Sequence, residues 1–306
     1  CPGTENYWLH ISVFALTAAV AAGRGESLSL VRKLAAAKNI LGQARLVKLD
    51  FDSALDAFSA GVNMFSAGND AINVALVSLN VVATLRRMAS GGAELCSDLL
   101  SGSSVGLLGA DQASLYESAL SLCVQTASDL ENKKSPSASN KHQFEAMKGT
   151  VWLSQAQMCL DFGARLAATL DSSLRVSSSY SLEKHLGAAN SVLEQFRNAA
   201  CLADKVSGLS ISASTDQEVK RAKSLALLFS GRLYGQLAEF FSKPQTTAHV
   251  MAAASSDWEK RARLNMKLAK RSYGKVIELS GGGKGLGERA RSERDALVAR
   301  LKGRVR

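Results

Sequence analysis

Apolar residues recur at steps of three and four along nearly the whole chain, and Gly- and Ser-rich turns interrupt them, so the periodicity is helical from end to end. It predicts ten helices, over Tyr7–Ala22, Leu28–Leu49, Phe51–Ala67, Ala71–Ala89, Asp111–Asn132, Lys141–Leu170, Leu182–Val206, Asp216–Phe241, Ser255–Leu279 and Glu288–Leu301. Asp52, Asp111, Ser181 and Thr215 stand where N-caps or first-turn residues belong, and Gly23, Gly68 and Gly281 where helices should stop. Val and Ile are scattered singly, with no alternating runs between close turn signals, so no sheet is expected. The connections Ser101–Gly109, Lys133–Asn140 and Ser207–Thr215 hold few large apolar side chains and read as insertions between helical hairpins.

Within Leu41 to Phe65, LGQARLVKLDFDSALDAFSAGVNMF sets Leu41-Gly42 ahead of Phe51, Ala54, Phe58 and Gly61. This order of large and small positions resembles a tetratricopeptide (TPR) repeat, in which two antiparallel helices pack bulky side chains against small ones. Similar sets follow at Tyr116, Ala119, Cys123 and Thr126, at Ala189, Val192, Phe196 and Ala199, and at Met266, Ala269, Tyr273 and Val276. The small position thus recurs at 54, 119, 192 and 269, at spacings of 65, 73 and 77, roughly twice the 34-residue repeat. The expected fold is all-α: a right-handed superhelical array of antiparallel helix pairs, a TPR-like solenoid with long, unequal units. Residues 1–27 would be an N-terminal packing helix, 28–280 the array, and 281–306 a Gly linker with a basic C-terminal helix and disordered tail.

Composition agrees with helices. Three prolines (Pro2, Pro136, Pro244) leave long intervals free of a helix breaker, and aromatics are only 6% of the 306 residues. Cys1, Cys96, Cys123, Cys159 and Cys201 include no CxxC pair, so they read as free thiols in a reducing compartment, nuclear or cytoplasmic. The chain opens on Cys1 instead of Met, as a piece of a longer protein would. Tyr7–Ala22 is the most apolar segment, yet it falls short of the ~20 residues a bilayer requires and contains His10, Ser12 and Thr17. It reads as a packed helix and not as a membrane span. Net charge is +10, and residues 251–306 hold 15 Lys/Arg against 6 Asp/Glu, so nearly all of the excess is C-terminal.

Candidate chemistry is sparse. His10, His142, His185 and His249 are far apart and belong to no catalytic motif. Glu293 and Asp295 are two apart on a helix among arginines and read as solvated charge. The run Gly281 to Gly287 has a Lys, but no strand precedes it and Gly285 follows Lys284 where a P-loop has Ser or Thr. No catalytic residue, cofactor or metal ligand is assigned, and no enzyme activity is expected. Two surfaces remain. If the first helices line a concave groove, Asn39, Gln43, Asn80, Thr84 and Arg87 would face it and could hydrogen-bond a peptide backbone or carboxylate. Lys260, Arg263, Lys267, Lys270 and Arg271 would form a basic face opposite Leu264, Leu268 and Val276.

The order of several segments resembles a known family. DFDSALDAFSAGVNMFSAGNDAINVALVSLNVVATLRRMA, then LYESALSLC, a helix carrying Trp152, RAKSLALLFSGRLYGQLAEFF and WEKRARLNMKLAKRSYGKVIEL look like the C-terminal TPR region of the erythroid differentiation-related factor family, across most of Leu41 to Leu279. The loops are shorter and poorer than that family's, and the resemblance carries over no functional residues. It implies a nuclear protein connected with transcriptional control and no enzymatic activity. The resulting expectation is a scaffold for a protein or peptide partner. Nucleic acid or an acidic partner bound through 260–306 is the alternative.

Overall fold

The computed structural model describes residues 4–21, 28–99, 108–132, 141–176, 182–209, 213–242, 255–280 and 285–302. These form ten helices: α1 Thr4–Ala21, α2 Leu28–Val47, α3 Phe51–Ala67, α4 Ala71–Leu99, α5 Leu108–Asn132, α6 Lys141–Val176, α7 Leu182–Ser207, α8 Ala213–Phe241, α9 Ser255–Leu279 and α10 Leu286–Leu301. Among the described residues there is no strand. Most boundaries fall close to those the periodicity predicts. The differences are extensions: α4 runs past Ala89 through Gly91 and Gly92 to Leu99, and α6 runs on to Val176. Of the expected insertions, Lys133–Asn140 lies outside the described residues, and the other two are shortened by helix at their edges.

Two tight turns share one construction. Leu49 (φ 61°) and Asn69 (φ 54°) each adopt the left-handed conformation just past a helix end. The next residues, Asp50 and Asp70, donate their N–H groups to Arg45 and Phe65 carbonyls, both at 3.0 Å, which closes a Schellman-type end. The same aspartates then start the following helix, accepting from the Ser53 and Asn73 N–H groups at 3.4 and 3.3 Å. The cap of α3 is therefore Asp50, with the expected Asp52 in the first turn.

The chain divides into two compact units, Cys1–Met158 and Cys159–Arg306, with the division inside α6. In the first, α1 lays Val13 and its neighbours Leu9, Leu16 and Val20 against Leu34, Leu41 and Ala57. Phe58, fully buried, centres a cluster with Ala35, Leu46, Ala54, Phe65 and Val77. Ala75, Ala127, Leu130 and Val151 join α4, α5 and the N-terminal half of α6. Among the described residues one stretch, Ala71–Ala89, is long and apolar enough to span a membrane. Within it Ala75, Val77, Val82 and Thr84 are buried, in a helix that packs on α3 and α5.

In the second unit Phe196 of α7 stacks on Phe229 of α8 with ring centroids 5.5 Å apart. Leu228, Ala238, Ala269, Tyr273, Val276, Ala290, Leu297 and Leu301 form one cluster from α8, α9 and α10. Helix α10, the basic helix expected after the glycines, packs on α8 and α9 within this unit. Ala290, Leu297 and Leu301, spaced seven and four apart, give it an apolar stripe.

One contact recurs in three helix pairs. A side-chain carbon built on Gly42 would lie 2.5 Å from the Phe58 ring, on Gly163 2.7 Å from Phe196, and on Gly231 3.0 Å from Tyr273. In each case a bare backbone on the first helix receives an aromatic ring from the second. Among the described residues the α4 and α5 pair shows no such glycine. Cys123 stands where the aromatic would, and Thr84 and Cys123 are both completely buried.

Candidate interaction surfaces

Helices α2 and α4 begin successive hairpins and touch each other. Asn80 Nδ2 donates to Asn39 Oδ1 at 2.8 Å, so two of the five groove candidates, 41 residues apart, are joined directly. Gln43 and Arg87 are exposed. Thr84 differs from expectation: it is fully buried, and its hydroxyl donates to the Asn80 backbone carbonyl at 2.8 Å, so it belongs to the helix packing and not to an open face. Nearby, Arg32 of α2 lies 3.5 Å from Asp70, which ties α2 to the start of α4.

All five basic-patch residues, Lys260, Arg263, Lys267, Lys270 and Arg271, are exposed on α9. Arg263 pairs with Glu259 at 3.3 Å. Leu264 does not lie on the inner side. It is 56% exposed, amid the cations, whereas Ala262, Ala269, Tyr273 and Val276 face the core. Arg261 is drawn toward α8, its guanidinium 5.9 Å from the Phe241 ring centre.

Glu293 is held, not solvated. Arg232 of α8 grips it with two hydrogen bonds, Nε at 2.8 Å and a terminal nitrogen at 2.5 Å, and Arg289 adds a third at 3.0 Å. Burial opposes the charge of this carboxylate, but the bonds from Arg232 and Arg289 outweigh it and keep its pKa below the ordinary value. Burial first, and then the Glu293 charge, push the Tyr273 phenol up to about 12. A second tie, Arg300 to Glu239 at 2.7 Å, fastens the far end of α10 to α8.

Little else among the described residues suggests chemistry. No three His, Cys, Asp or Glu side chains come together as a metal site would require. His10 and His142 are exposed, and the side chains of His185 and His249 lie outside the described residues. Burial pushes the Cys159 thiol up to about 12, which leaves it an inert core group, whereas Cys201 is exposed. Of the glycine run, 281–284 lies outside the described residues, Gly285 caps α10, and Leu286 and Gly287 form its first turn. A cleft of about 620 Å³ opens between the α3–α4 turn and the end of α5, lined by Asn69, Asp70, Val74, Thr126, Asp129 and Leu130. Asp70 is already engaged there by Arg32 and Asn73. No family model matches the chain, and no curated protein sequence matches it.

Proposed function

We propose that the chain is a TPR-like scaffold, its helix pairs wound in a right-handed superhelix, which holds a peptide segment of another protein against the α2 and α4 face. The observation that carries this reading is the Asn39–Asn80 pair. The bond between the two amides leaves the Asn39 NH2 group and the Asn80 side-chain oxygen for a further partner. A peptide main chain presents the matching carbonyl and N–H groups, and the exposed Arg87 offers a fork for a carboxylate. The ring-on-glycine contact in three helix pairs supports the TPR comparison, because it follows the large and small positions of that repeat.

Capture of partners from cell extract tests the reading. Asn80→Ala combined with Arg87→Ala should release the captured proteins while the melting temperature falls by only a few degrees, since one partly buried hydrogen bond contributes about 1 kcal/mol. Undiminished capture would count against this face. The nuclear, transcription-associated setting rests on the resemblance to the erythroid differentiation-related factor family and is tested by locating the tagged protein in cells.

Nucleic-acid binding through 260–306 is the second reading, favoured by seven Lys/Arg against two Glu over Glu259–Ser280. Removing α9 would strip Ala269, Tyr273 and Val276 from the core, so charge-neutral substitutions probe it better than truncation. Binding that weakens steeply with salt and disappears on those substitutions would favour it.

A further inference from the structure

We propose that the outward side of α9 is a second docking surface, which takes an acidic peptide segment carrying a large apolar side chain. It extends the scaffold reading to the Cys159–Arg306 unit and stands on separate residues. Positions 260, 264, 267, 271 and 275 follow at steps of four, three, four and four along the exposed side of α9, opposite the buried Ala262, Ala269, Tyr273 and Val276. Four of these are cations and the fifth is Leu264. Lys267, Lys270, Arg271 and Lys275 have no carboxylate partner among the described residues, and Glu259, one of the two acids of this stretch, is taken by Arg263.

A lone exposed leucine needs no explanation. One set among cations presents two chemistries at once: an apolar contact for a side chain, and a ring of positive charge for the acids beside it. Asp or Glu groups of the partner would steer and orient it, while burial of Leu264 and the lysine stems supplies affinity. A phosphate backbone matches the cations but has nothing to cover the leucine, and the described outward side of α9 carries no aromatic for base stacking. The stripe from 260 to 275 is about 22 Å long, which suits four turns of an acidic helix.

The test is fluorescence anisotropy on the full chain. The probes are two dye-labelled peptides of equal Glu content, one with a central Trp and one with Ser in its place, beside single-stranded and duplex oligonucleotides. The Trp peptide should bind more tightly than the Ser peptide. Leu264→Ser should weaken the Trp peptide about tenfold without shifting the thermal melt, because the position is exposed. Joint replacement of Lys267, Arg271 and Lys275 by Ala should weaken both peptides and flatten their salt dependence. Equal affinity for the two peptides, no effect of Leu264→Ser, or tighter binding of an oligonucleotide than of the Trp peptide would overturn the proposal. Loss of the Trp peptide on Asn80→Ala, with Leu264→Ser unaffected, would assign the peptide to the α2 and α4 face. That result defeats this proposal and leaves the scaffold reading standing.

Discussion

At Gly42, Gly163 and Gly231 the absent side chain is itself the structural element, because an aromatic ring occupies the space a methyl group would need. Adding that methyl forces the ring or the helix to move, and overpacking of this kind costs about 1–3 kcal/mol. Gly42→Ala should be the most damaging, Gly163→Ala next and Gly231→Ala mildest, following clearances of 2.5, 2.7 and 3.0 Å. Gly187 supplies the contrast: it lies within α7 with nothing within 4 Å of the added carbon. Gly187→Ala should therefore raise stability by about 0.5–1 kcal/mol through helix propensity alone. Urea titration of the four variants checks the order and the change of sign. The pairing of Leu41-Gly42 with Phe58 was legible in the sequence, whereas the burial of Thr84 was not. A threonine on a helix looks like any surface polar residue until its hydroxyl is seen bonded to the carbonyl one turn back.

Individual helices were legible because their period is local, but helix faces and partners were less so. Helix α9 shows why: its inner side is lined by Ala262, Ala269, Tyr273 and Val276, and two of these four are small. A search for the largest aliphatic residues places Leu264 inward, although Ala262 and Ala269 are buried on that helix and Leu264 is exposed. The role of Glu293 was hidden for another reason, since its partner Arg232 is 61 residues away on another helix. Glu293→Gln should destabilise the α8–α10 packing by about 1–2 kcal/mol near neutral pH, by losing charge-assisted bonds and leaving Arg232 without its carboxylate. Because the folded pKa of Glu293 is lowered, its contribution is fully present above the ordinary value of 4.5 and is lost as pH falls through the lowered one. The stability gap between the parent and Glu293→Gln, followed by urea unfolding, should therefore close in acid. A gap unchanged at every pH would mean that the charge of Glu293 is not what fastens α10.

Within each of the two units, packing runs mainly between helices that are neighbours in sequence. Cooperativity in such a chain is passed along it, and damage to one helix pair is felt most by the adjacent ones. Gly42→Ala should accelerate amide hydrogen exchange in α1 to α3 and leave α7 to α10 at their parent rates, a pattern that mass spectrometry of proteolytic fragments resolves. Uniform acceleration would instead indicate a single all-or-none unit. The all-helical class and the sequence of helix pairs followed from periodicity, but the division of the chain at Met158 did not. It falls within α6, a continuous helix with no proline or glycine run to mark it.

The turns at Leu49 and Asn69 also bear on how the chain tolerates changes of length. Asp50 and Asp70 each close one helix with the main-chain N–H and open the next with the carboxylate. A single residue inserted beside either would separate those two duties, and taken up within the helix it would turn the side chains that follow in that helix by about 100° around its axis. From α2 to the start of α4 the spacing is therefore fixed, and insertions or deletions compatible with folding should fall outside that span, in the longer connections before α2 and after α4.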